Sequence, residues 1–276
     1  MRYDRDYVRQ YYNAYGEKEW RRLDATLSGK VNFHIHQHYL MHYVHPGDKV
    51  LEVGAGAGRF TLELAAAKAA TTVLDVSPEQ LRLNKQHVMA EGCQDYVTAW
   101  VEGDILDLSA FAAASFDAVV CYGGPLSYVF DQADLALAQM LRVLRPGGHL
   151  LLSVMSLLGT TRHFLASVVE AAFQHSLEAV DAVSTAGDLT GEVSRGHRCH
   201  MYRYSELRQL LEHHNCTIKA ASASGFLSMS DEETLRIAYS RRDLWDALLK
   251  WELDYCREPG AIDGGTHIIA VVQKPE

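Results

Sequence analysis

Three glycines at alternate positions, Gly54, Gly56 and Gly58, follow a short apolar run in VLEVGAGAGRF, residues 50–60. Glycine lets backbone come close to a ligand, so such a turn suits a dinucleotide, a phosphate or another adenosine-bearing molecule. The nicotinamide fingerprint G-x-G-x-x-G fits Gly54 and Gly56 but meets Arg59 where its third glycine belongs. A phosphate loop would end in Gly-Lys-Ser/Thr, and no such run occurs. Acids complete the pattern. Glu52 precedes the turn, with Ala55 inside it. Asp75 and Val76 close VLDV, at about the 20-residue spacing where a carboxylate accepts from both ribose hydroxyls. Asp104, followed by Ile105, ends EGD and could accept from an exocyclic amine. A helix cap before Pro78 and a plain turn acid are the ordinary uses of Asp75 and Asp104.

The elements that would carry these residues alternate in type. KVLEV, TTVLDV, YVTAWVEGD, FDAVVCY and GHLLLSVMS read as strands, separated by helical patterns such as RFTLELAAAKA and QADLALAQMLRVL. That rhythm implies parallel strands joined by crossover helices, hence a doubly wound α/β sheet. Ligands bind at the carboxyl edge of such sheets, and the three acids fall there. Residues 3–27 and 31–45 read as two leading helices. After residue 156 the rhythm breaks into helical excursions, with CTIKAASASGF and THIIAVVQKP as late strands.

The 276 residues carry a net charge of −9, which disfavours a phosphate backbone as partner. No apolar run reaches the roughly 20 residues of a membrane span. The opening MRYDRDYVRQYY lacks an apolar signal core, and the five cysteines form no CxxC. A reduced, cytoplasmic protein without membrane or nucleic-acid partners is expected.

Taken in order, VLEVGAGAGRF, VLDVSP, EGDILDL, FDAVVCYGG and LRPGGHLLLS resemble the class I S-adenosylmethionine-dependent methyltransferases. The resemblance covers about residues 48 to 155, and the closing strand THIIAVVQKP matches the reversed last strand of that family. It implies a Rossmann-like seven-stranded sheet of order 3-2-1-4-5-7-6 with strand 7 antiparallel. It also implies S-adenosyl-L-methionine as cofactor, S-adenosyl-L-homocysteine as product, and one methyltransferase domain over residues 1–276. Within it, residues 1–46 form a helical cap and 47–156 the cofactor-binding core. Insertions at 157–203 and 226–264 would build the pocket for a small-molecule acceptor. By the same resemblance Glu52, Gly54, Ala55, Gly56, Gly58, Asp75, Val76, Asp104, Ile105, Cys121 and Tyr122 line the cofactor site, with Tyr11 or Tyr12 closing over it.

Catalytic residues are less legible, because methyl transfer depends mainly on alignment and needs a base only when the acceptor must lose a proton. His36, Tyr122 and His200 are the candidates, with His200 or Tyr202 of GHRCHMY facing the acceptor. His34, His38, His42 and His45 recur at helical spacing without a carboxylate or cysteine, so no metal is expected. A tRNA- or protein-modifying methyltransferase and a non-catalytic S-adenosylmethionine-binding protein are the alternatives. The sequence leaves the choice between monomer and homodimer open.

Overall fold

The computed structural model describes residues 1–191, 193–194, 196–229 and 231–276. Its centre is a seven-stranded sheet. The strands are β1 (Lys49–Val53), β2 (Ala70–Asp75), β3 (Val97–Glu102), β4 (Phe116–Cys121), β5 (Leu144–Met155), β8 (Thr217–Ala223) and β9 (His267–Gln273). Their order is β3-β2-β1-β4-β5-β9-β8. The pairs from β3 to β5 are parallel, while β9 runs antiparallel to both β5 and β8. This is the expected doubly wound arrangement, with β9 as the reversed strand. A short hairpin of β6 (Asp188–Leu189) and β7 (Cys199–His200) lies apart from it.

Helices cover both faces, which is why the strands read as continuous apolar runs. Neighbouring residues alternate between faces. Leu51, Val119 and Leu150 pack with Leu137, Met140 and Leu141 of α6 (Ala133–Val143) and Leu207 and Leu211 of α10 (Tyr204–His213). Val50, Val120 and Leu151 pack with Val31, Ile35 and Leu40 of α3 (Leu27–Tyr43) and Leu64 of α4 (Arg59–Ala66).

The cap is finer-grained than a single helix over residues 3–27. Gly16, at φ 51° and ψ −132°, breaks it into α1 (Arg5–Tyr15) and α2 (Glu17–Arg21). α1 docks on the start of α5 (Pro78–Ala90): Asn13 Oδ1 accepts from Ser77 Oγ at 2.7 Å, and Gln80 Nε2 donates to Tyr12 O at 3.0 Å.

The two insertions lie in different places. α7 (Leu157–His163), α8 (Leu165–Gln174) and α9 (Leu177–Ala186) do wall a chamber. Among its described residues the segment 226–264 contributes only Met229 to it. Its helices α11 (Glu232–Tyr239) and α12 (Arg242–Tyr255) lie instead against α3, burying Trp245, Leu249 and Leu253 on that helix's core side.

Candidate cofactor and acceptor site

The glycine turn is forced by its surroundings. Gly54 sits at φ +66°, and a Cβ there would lie 2.3 Å from Cγ of Pro125, so only glycine fits beneath that ring. Gly58, at φ +102°, begins α4. Between them the Gly56 N–H donates to Asp75 Oδ2 at 2.8 Å, while Ser77 N–H donates to Oδ1 at 2.8 Å. The carboxylate thus ties the turn to the neighbouring strand end. Burial raises the Asp75 pKa to about 6 against the opposition of these N–H groups.

Glu52 is buried and accepts from Thr61 Oγ1 at 2.6 Å. Thr61 in turn accepts from Asn84, and Asn84 from Trp100. Burial, opposed by the Thr61 hydrogen bond, pushes the Glu52 pKa up to about 8. Asp104 accepts from Leu106 N–H at 2.9 Å and from the Tyr3 hydroxyl at 2.7 Å.

One narrow hollow joins these parts. Its wall includes Glu52, Gly54, Ala55, Gly56, Asp75, Val76, Asp104, Ile105, Tyr12 and Tyr122, which the sequence selected. Three selected residues stand elsewhere. Cys121 is fully buried in the core, because its side chain alternates away from Tyr122. Gly58 serves the helix start. Tyr11 turns toward His197, 3.4 Å from its Nδ1, and lines a passage of ≈ 130 Å³.

Residues from distant segments complete the wall. Tyr3, Glu19, Arg22, Pro125 and Tyr128 all line the hollow. Arg22 is bidentate to Glu19, with Nη2 at 2.9 Å from Oε1. Arg59, the residue that spoiled the nicotinamide fingerprint, pairs with Asp24 at 2.6 Å and lies over Trp20 at 4.8 Å, fastening the cap. Of these only Pro125 and Tyr128 carried a local signal, in the run YGGPLSYV.

Arg22 also borders the passage and a chamber of ≈ 520 Å³. His197 and His267 line both. Tyr12 donates to Tyr128 at 2.6 Å, and Tyr128 lies 3.3 Å from His197 Nε2, so hydrogen bonds run from the narrow hollow into the passage.

The geometry separates the catalytic candidates, with Tyr122 on the narrow hollow and His200 away from it. His200 lies between Asp188 and Glu206, each at 2.7 Å, and borders neither hollow. Burial works against its charge, but the two carboxylates outweigh it and raise its pKa. Both nitrogens are engaged, so it is a clasp between β6, β7 and α10. Tyr202 is likewise buried in the core. His36 donates from Nδ1 to Asn32 O at 2.8 Å and sits behind Tyr122, with ring centres 4.8 Å apart. Burial lowers its pKa to about 4. Tyr122 borders the narrow hollow, with its hydroxyl lacking a protein partner. His34, His38 and His42 lie along α3 outside its buried face, and His45 follows the helix end exposed. Among the described residues no group of three or more side chains could hold a metal ion.

The donor set fits an adenosine-bearing sulfonium. Pro125 lies against the turn, acids stand at two successive strand ends, and Tyr12 and Tyr128 complete the wall. Fold and cradle together define a Rossmann-like protein built for S-adenosylmethionine.

A methyltransferase-domain family profile matches residues 50–148. A ubiquinone biosynthesis O-methyltransferase of Xanthomonas axonopodis pv. citri is 37% identical over 40% of this chain and 44% of that protein. The chain therefore matches less than half the length of this curated relative. Among solved structures, a chain of the Haloferax volcanii complex between the Trm112 methyltransferase activator and a methyltransferase is similar at TM-score 0.57 and 18% identity, over 95% of this chain and 96% of that one. A Methanosarcina mazei structure titled as S-adenosylmethionine-dependent methyltransferases is similar at TM-score 0.57 and 18% identity, over 86% of this chain and 97% of that one. Residues 50–148 thus match a methyltransferase domain, on a fold shared with these structures. No helix among the described residues is long and apolar enough to cross a membrane.

Proposed function

We propose that the protein transfers the methyl group of S-adenosylmethionine to a small molecule held in the chamber beside its cofactor hollow. The observation that carries this is the junction at Arg22, where the narrow hollow and the ≈ 520 Å³ chamber share a wall. Bound S-adenosylmethionine supplies an electrophilic methyl on a positively charged sulfur.

The protein's part is to hold, align and dry. Asp75 is assigned the ribose hydroxyls and Asp104 the adenine amine, each keeping a lone pair beside its present hydrogen bonds. Ala55, Val76 and Ile105 enclose the cofactor, and Tyr12 with Tyr128 excludes water from the transfer line. Alignment alone can supply up to ~7–11 kcal/mol in well-oriented systems. The buried wall also favours dispersal of charge as the sulfonium is consumed.

A small acceptor is supported by the chamber's volume of ≈ 520 Å³ and by the net charge of −9, which disfavours tRNA. The ubiquinone biosynthesis relative is named for oxygen methylation, but its match covers only 40% of this chain. A reducing, cytoplasmic setting accords with five unpaired cysteines.

Titration with S-adenosylmethionine and with NADH, followed by a metabolite screen using isotopically labelled methyl donor, tests the reading. Saturable sulfonium binding and label in a small molecule are expected. NADH binding without sulfonium binding contradicts the cofactor, and label appearing only in tRNA or protein contradicts the acceptor.

A further inference from the structure

The chamber's chemistry is narrower than its size. Phe164, Val168, Ala171, Val180, Val183 and Met201 supply its apolar wall. Its other side chains are mostly hydroxyls such as Thr160, Ser194 and Ser224. Among the described residues of this wall there is no Asp or Glu. The guanidinium among these described residues, that of Arg22, has Nε and Nη2 on Glu19 at 2.9–3.3 Å, so that pair carries no net charge. His163 is kept toward its neutral form by burial and by Arg162. Among these described residues an ammonium group would find no counter-ion, and a carboxylate only a guanidinium already paired.

One wall residue calls for a ligand. His267 stands at the start of β9, on both the chamber and the passage. Its Nδ1 lies 3.2 Å from the Thr266 hydroxyl, while its Nε2 is buried without a partner. Such orphaned polar atoms are rare in folded proteins and mark a place for water or a bound group. Burial, then Arg22, His36 and His197, hold the imidazole neutral. A hydroxyl can donate to or accept from this nitrogen, whichever tautomer is present, whereas an ammonium only donates and a carboxylate only accepts.

We propose that the chamber takes an uncharged, largely apolar molecule whose hydroxyl group is held at Nε2 of His267. This rests on the methyltransferase reading above and names the chemical class of its acceptor. The test uses the protein loaded with S-adenosyl-L-homocysteine, whose own binding is measured first. Calorimetry then compares 4-pentylphenol with 4-pentylbenzoate, 4-pentylbenzylamine and 4-pentyltoluene, which share one apolar body.

The phenol is expected to bind about tenfold or more tighter than either ion, the equivalent of ~1.4 kcal/mol. His267→Phe keeps a ring of similar size, and is expected to weaken the phenol about five- to tenfold while leaving 4-pentyltoluene unchanged. Ala171→Phe fills the chamber and is expected to weaken both without altering homocysteine-cofactor affinity. Equal or tighter binding of the ions, an unchanged phenol affinity in His267→Phe, or no binding by any congener overturns the proposal. Failure of S-adenosyl-L-homocysteine itself to bind overturns the methyltransferase reading, and is told apart by that first measurement.

Discussion

Asp75 concentrates the argument at the scale of one residue. It holds Gly56 and Ser77 N–H groups, borders the cofactor hollow, and has a pKa raised to about 6 by burial. A ribose hydroxyl needs it ionised to find a strong acceptor. Affinity for S-adenosylmethionine is therefore expected to be flat above about pH 7 and to weaken as pH falls through about 6, measured by calorimetry across that range. Glu52 behaves differently. Its pKa in the fold is about 8 against 4.5 ordinarily, so folding takes up a proton between these values. Stability is full below the lower value and declines as pH rises through the window. Glu52→Gln removes that loss, so the variant should gain on the native protein by a few kcal/mol as pH rises from about 4.5 to 8. Denaturant melts of the cofactor-free proteins at several pH values check this. Asp75, Asp104 and the glycines were legible because their meaning is local, a fixed spacing after a strand. Arg22, His197 and His267 come from three separate segments and acquire a shared meaning only when the sheet brings them together.

Elements explain where local reading succeeded and where it stopped. Strand identity was plain because parallel strands buried on both faces are apolar throughout. The break at Gly16 was not, since a glycine within a helical pattern is often tolerated. The turn after β1 is the element whose geometry is least forgiving. Gly54→Ala would set a Cβ against Pro125 at 2.3 Å and strain φ of +66° as well. It is expected to cost ~1–3 kcal/mol in denaturant unfolding and to weaken cofactor binding. An unchanged midpoint and affinity would mean that the turn and Pro125 do not meet as described.

For the whole molecule, the outer insertion at 226–264 acts mainly through support, with Met229 its one described residue on the chamber wall. Glu252 of α12 is fully buried and accepts N–H groups of Phe226 at 2.9 Å, Leu227 at 3.2 Å and Ser228 at 2.5 Å. That grip steadies the segment between Ser224 and Met229, both on the chamber wall. Glu252→Ala leaves these donors unsatisfied and is expected to cost ~3 kcal/mol or more. It should weaken ligand binding in the chamber while sparing S-adenosylmethionine affinity, because no residue of α12 borders the cofactor hollow. Calorimetry at a temperature where the variant remains folded separates the two affinities. The sequence could not assign this role, since an amphipathic stripe looks the same whether its partner is a pocket or another helix.

Methyl transfer by this protein depends most on acids at adjoining strand ends receiving an adenosine cofactor. Calorimetric titration of S-adenosylmethionine into the native protein and into Asp75→Ala addresses it directly, with circular dichroism to verify that both are folded. Saturable one-site binding by the native protein, weakened about tenfold or more in the folded variant, is the expected result. Equal affinity in the two proteins, or no saturable binding by the native one, would contradict it.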